Sequence, residues 1–152
     1  MAETNSVQAA KIVAGKKLMP ADSHGRQRVL IATLPATHDA YAINDTIFLG
    51  RVPANTRFLL GGVIGVADAG TASSTVDIGI RNTQTGVVID ADGLAAGVDI
   101  STAAVVKCDT GDLIAKASEY FTPAEVDVYA TVKGAALKAD QKMKFQIPYV
   151  TD

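Results

Sequence analysis

Ser73–Arg81 reads SSTVDIGIR, Val126–Val132 reads VDVYATV and Lys142–Tyr149 reads KMKFQIPY. In each stretch apolar and polar side chains alternate one for one, the period of a strand with one face buried and one open. Val76, Ile78 and Ile80 point one way, against Thr75, Asp77, Gly79 and Arg81. Val126, Val128, Ala130 and Val132 oppose Asp127, Tyr129 and Thr131, and Met143, Phe145, Ile147 and Tyr149 oppose Lys142, Lys144, Gln146 and Pro148. Pro148 has no N–H for a ladder, which predicts that the last strand lies at a sheet edge near that point.

Working outward, short β-rich runs recur roughly every ten to fifteen residues from Arg28 onward, separated by Gly, Asn, Asp and Pro. The runs are Arg28–Leu34, Asp45–Val52, Thr56–Val66, Ser74–Asn82, Val87–Asp90, Ala103–Lys107, Val126–Val132 and Lys142–Val150. Between them lie explicit turn chemistries: Arg81–Gly86 (RNTQTG) offers Asn and Gly for positive φ, Lys133-Gly134 follows the penultimate strand, and Val52–Thr56 (VPANT) breaks one run and starts the next. About eight strands so connected predict an all-β fold, an antiparallel β-sandwich of jelly-roll type. A short helix is expected within Gly111–Phe121, where Leu113, Ile114 and Ala117 share a helical face.

Residues 1–27 read differently, as an extended N-terminal arm preceding a sandwich domain over 28–152. The arm is polar and small, closed by Pro20 and Gly25, and its spaced apolar side chains Val7, Ile12, Val13 and Leu18 are the candidate residues for contact with a partner surface. A helical turn fits Ala9–Lys17, but Gly15 and the narrow apolar stripe argue against a helix that stands alone.

The whole chain has 152 residues, 48% of them hydrophobic and 20% charged, which suits a single globular domain with a real core. That core is thin-walled: Ala and Val dominate, aromatics are 5% and Trp is absent. A net charge of −2 with Lys and Arg spread along the chain gives no footprint for a phosphate backbone, so nucleic acid is not an expected partner. The longest apolar stretch, Phe58–Ala67, contains Gly61, Gly62 and Gly65 and is far short of the ~20 residues of a transmembrane helix, so no membrane partner is expected. The first residues carry no continuous apolar segment of a secretory signal. The single cysteine, Cys108, has no internal disulfide partner, consistent with synthesis in a reducing cytoplasm.

Catalytic and metal-binding constellations are not evident. Asp22, Ser23 and His24 are the letters of a triad in a row, yet a triad is a matter of convergent geometry, and adjacent residues do not converge. His38 follows Pro35-Ala36-Thr37 in an apparent loop without ligand partners at metal spacing. Lys107 beside Cys108 is a device that lowers a thiol pKa, although a lone small residue at a strand end is the simpler reading. Asp90-Ala91-Asp92-Gly93 matches the opening of a calcium loop, but Leu94, Ala95 and Ser101 stand where the third ligand, the turn glycine and the closing Glu belong, which leaves an ordinary turn. Gly61-Gly62-Val63-Ile64-Gly65 lacks dinucleotide spacing, and Gly15-Lys16-Lys17 lacks the rest of a phosphate loop. No catalytic residue, metal or cofactor is expected.

Three segments carry a resemblance: Ala21–Arg26 (ADSHGR) leading into a strand, Ser73–Arg81 (SSTVDIGIR), and Val126–Asp152 (VDVYATVKGAALKADQKMKFQIPYVTD). In style and order they resemble the capsid decoration or cement proteins encoded in tailed-bacteriophage head modules. The resemblance implies a non-catalytic β-module that binds the outside of a virion capsid as a homo-oligomer, a dimer or trimer, with the major capsid protein as partner and the termini reaching neighbouring subunits. It carries over no individual site residue. The competing readings are a carbohydrate- or receptor-binding module of a tail or head fibre, which calls for aromatics on a concave face, and a small enzyme, which calls for converging acids or a histidine pair. The four Tyr and four Phe are scattered, several at positions of the buried face.

Overall fold

The computed structural model describes residues 4–18, 25–116 and 119–151. Within them the chain forms a helix α1 (Val7–Val13), strands β1 (Arg26–Thr33), β2 (Thr46–Val52), β3 (Arg57–Phe58), β4 (Val63–Val66), β5 (Thr75–Asn82), β6 (Val88–Asp99) and β7 (Ala104–Lys107), a one-turn helix α2 (Asp112–Ala115), and strands β8 (Val126–Lys133) and β9 (Met143–Thr151). One sheet has the order β1-β9-β4-β7, with β3 also on β9, and the other β2-β8-β5-β6. Every pairing is antiparallel.

The pairs nest: β1 with β9, β2 with β8, β4 with β7, β5 with β6. A long hairpin folded in this way and rolled so that β9 meets β4 and β8 meets β5 is a jelly roll. The alternation read from the sequence sets which side of each strand faces the core. Val76, Ile78, Ile80, Val126, Val128, Val132, Phe145 and Ile147 are all buried. They join Leu30, Ile47, Leu49, Val52, Ile64, Val66, Leu94 and Val98 in one apolar cluster.

Several expectations need correction. β9 is an interior strand, so Pro148 does not mark a sheet edge. Its carbonyl accepts from the Leu59 N–H at 3.0 Å, and its nitrogen faces the same side, where the chain leaves the ladder between β3 and β4. That gap lets an inner strand carry a proline. The run Thr56–Val66 is accordingly two strands, parted at Leu59–Gly62, with Gly61 at φ +104°. The run starting at Val87 does not stop at Asp90 but continues to Asp99, so Asp90-Ala91-Asp92-Gly93 is strand and not a turn. Three register shifts against β5 absorb its irregularity. Gly79 makes the close approach possible, because a Cβ there would strike the Asp90 and Ala91 carbonyl oxygens. In the β5–β6 connection Gly86 supplies positive φ (+70°), whereas Asn82 contributes through its side chain, accepting from the Gln84 and Thr85 N–H groups at 2.9 Å. β1 begins at Arg26, two residues before the expected boundary, and of the predicted short helix the described residues form the single turn α2, with Ala117 outside them.

Candidate interaction surface

α1 starts at Ser6, whose hydroxyl oxygen accepts from the Ala9 N–H at 3.1 Å, an N-cap that the sequence reading did not identify. The helix therefore begins two residues earlier than the turn expected from Ala9. Among the described residues its polar contacts with the body fall on Glu119: Gln8 Nε2 donates to Glu119 Oε1 at 3.2 Å, and Lys11 Nζ lies 3.6 Å from the same oxygen. Gln8 and Lys11 lie three apart and share a face. Nothing on α1 is buried. Val7, Ile12 and Val13 are 51%, 61% and 75% exposed, and Leu18 beyond the helix is half-buried. Three of the four candidate contact residues thus lie together on one short helix, displayed to solvent. Residues 4–18 carry Lys11, Lys16 and Lys17 and no acid.

Between α1 and the body runs a cleft of about 510 Å³, walled by Val7, Phe58, Leu60, Leu113 and Ile114 with Glu119 at its side. Leu60 is 68% exposed. It lies in the break between β3 and β4, just after Leu59, whose N–H still reaches β9, while α2 brings up Leu113 and Ile114. The sequence reading missed this cleft; the signal was Leu59-Leu60 directly before Gly61-Gly62, an apolar pair at a point where a strand cannot continue.

A second cluster was also missed, because it depends on register. Arg51, Asp127 and Arg81 are cross-strand neighbours on β2, β8 and β5. Asp127 Oδ1 accepts from Arg51 Nε at 2.7 Å and from the Thr83 hydroxyl at 2.9 Å, and Arg81 Nε lies 3.5 Å from Oδ2. Burial pushes the Asp127 carboxyl up, but these bonds and the two guanidinium charges outweigh it and hold its pKa below the ordinary value. Arg51 also reaches over Phe48, and Arg81 over Tyr129, so that Asp127 and Tyr129, expected on an open face of β8, are buried beneath this cluster.

Asp22, Ser23 and His24 lie outside the described residues. His38 is a structural staple: its ring stacks on Tyr41 with centroids 5.1 Å apart, its Nδ1 and Nε2 lie 2.7 and 3.1 Å from the Asp39 and Gln141 carbonyls, and its N–H donates to Asp140 Oδ1. Cys108 is buried, and burial together with the Asp109 charge pushes its thiol up to about 12, opposite to the lowering that Lys107 suggested. The Asp90 carboxyl is raised by burial and by Asp92 and Asp112 nearby, and the Asp92 N–H donates to Asp90 Oδ1 at 3.2 Å. Among the described residues no three of His, Cys, Asp and Glu are grouped to hold a metal ion, and no helix is long and apolar enough to cross a membrane.

The jelly-roll order of strands recurs in solved particles. The chain superposes on a chain of the capsid of Ralstonia phage GP4 over 90% of its own length and 92% of the other, with a TM-score of 0.66 at 18% identity. The fold is one used in bacteriophage capsids. A chain of the cyanophage Pam1 capsid asymmetric unit matches over the full length of both, with a TM-score of 0.53 at 15% identity. At these identities the likeness is one of fold. No family model and no curated protein matches the sequence.

Proposed function

We propose that this chain is a non-catalytic structural protein of a tailed-phage virion, which binds the outside of the capsid as a homo-oligomer and cements contacts between major capsid protein subunits. The observation that carries the reading is the end-to-end agreement of its jelly roll with a chain of the Ralstonia phage GP4 capsid. The segment resemblance to decoration proteins, drawn from the sequence, supplies the cementing role and the exterior position.

The arm supplies the means. Val7, Ile12 and Val13 are displayed at the surface on α1, and Leu18 lies half-buried beyond it. Covering an aliphatic side chain is worth about 1.5–3 kcal/mol before ordering costs are subtracted. On a shell of equivalent sites several arms of one oligomer act together, and effective concentration multiplies a weak individual contact. Mass spectrometry of purified virions from the phage that encodes the chain is expected to find it in fixed stoichiometry with the major capsid protein, and antibody labelling of intact particles to reach it. Its absence from purified particles, or its inaccessibility in intact ones, overturns the reading.

A further inference from the structure

We propose that the outer face of the β1-β9-β4-β7 sheet is a docking surface for the capsid shell, and that a hollow at Gly65 takes an apolar side chain which the shell presents among carboxylates. The inference rests on the capsid reading and names the face of the sandwich that turns to the shell.

Two ladder rows cross that face. Ile31, Gln146, Val63 and Lys107 lie side by side in one, and Thr33, Lys144, Gly65 and Val105 in the other. The row between them, Ala32, Phe145, Ile64 and Val106, packs into the core, so both flanking rows face outward. Ile31 and Val105 are 58% and 75% exposed.

The middle of this face is hollow. Gly65 lies in an inner strand, where a glycine weakens a sheet. Nothing inside the molecule calls for it. Its φ is not positive, its ladders run without a register shift, and a Cβ there would meet nothing nearer than the Lys144 carbonyl at 3.9 Å. Gly79 is the contrast, since a neighbouring strand leaves its Cβ no room. A strand glycine that neither its own backbone nor a neighbour requires marks a close approach from outside. The hollow measures about 200 Å³, with Val63 and Val105 on its walls and Lys144 and Gln146 beside them.

Charge selects the occupant. Lys107 and Lys144 stand on either side of the hollow, and none of the outward residues of β1, β9, β4 and β7 is an acid. On the opposite sheet Arg51 and Arg81 are already matched by Asp127. A sheet face that carries lysines without acids suits a surface that brings carboxylates to it. A second copy docked face to face would instead set Lys107 and Lys144 against their own counterparts, an arrangement that repels. The shell's apolar side chain at Gly65 is then the buried anchor, and the lysines fix its orientation. Arm and sheet face grip the same shell, each weak alone and stronger together.

The test measures binding of the purified full-length chain to phage particles assembled without it. Gly65→Val fills the hollow with a residue that suits a strand, so its melting temperature is expected to equal or exceed that of the wild type while its affinity for the particles falls at least about tenfold. Lys107→Glu combined with Lys144→Glu changes only exposed side chains and is expected to weaken binding similarly. Lys133→Glu combined with Lys138→Glu, off this face, is expected to leave binding unchanged. Wild-type affinity in both the filled and the charge-reversed variants, or an equal loss in the control pair, overturns the inference and leaves the capsid reading standing. A wild type that does not bind the particles overturns both. A wild-type oligomer that Gly65→Val dissolves in solution overturns the inference too, because the face is then a contact between copies.

Discussion

Phe145 on β9 sits between Ala32 on β1 and Ile64 on β4 and is fully buried. Phe145→Ala removes a large side chain from a packed site, and a loss of about 3–5 kcal/mol in urea unfolding is expected. At Asp127 the relevant variable is pH. Its folded pKa lies below the ordinary value, so it stabilises the fold above the unfolded pKa of about 3.9, and that stability is lost as pH falls through the lowered folded value. Asp127→Asn is therefore expected to unfold more easily than wild type at pH 7 and to lose less stability between neutral and strongly acidic pH. Equal slopes in the two proteins would show that the Arg51 and Arg81 pairing contributes nothing. Cys108, with its thiol pushed up to about 12 and its sulfur buried, is expected to resist a thiol-exchange reagent in the native protein at mild alkaline pH and to react fully in denaturant. At Asp90 and Asp92 a metal chelator is expected to leave the melting temperature unchanged; a marked fall would revive a cation there.

Strands β5, β8 and β9 were legible because alternation is a local signal: their inward side chains are buried except Tyr149, which is half-buried, whereas Asp127, Tyr129 and Pro148, read as facing outward, are buried as well. What local signals could not supply was the partner of each strand. Pro148 reads as an edge residue until β9 is found beside a gap in its neighbour, and Asp90–Gly93 reads as a turn until Gly79 on β5 is seen to admit a bulged strand across it. Gly79→Ala is accordingly expected to disrupt the β5–β6 pairing, and a cooperative melt at the wild-type temperature would contradict that close approach. The apolar spacing of Val7, Ile12 and Val13 was also legible, but their direction was not, because it is set by Glu119, more than a hundred residues away. Among the described residues, Gln8 and Lys11 of α1 both meet that carboxylate. Deleting residues 2–25 is thus expected to leave a folded, cooperatively melting β-sandwich that has lost its occupancy on capsids. An unfolded truncation, or one that binds as well as the full chain, would contradict the division of labour.

As a whole, the molecule is a jelly roll with its sheets turned inward on a Val-, Ile- and Leu-rich core and a basic, apolar helix displayed at one point of its surface. Such a module adds stability to a shell only by bridging subunits, since its own fold is complete without them. The direct measurement is the temperature at which phage particles open, followed by release of their DNA, in particles assembled without this chain and after the purified chain is added back. The account predicts that the depleted particles open at a lower temperature and that the full-length chain, but not the arm deletion, restores it. Particles that open at the same temperature with and without the chain would contradict a cementing role.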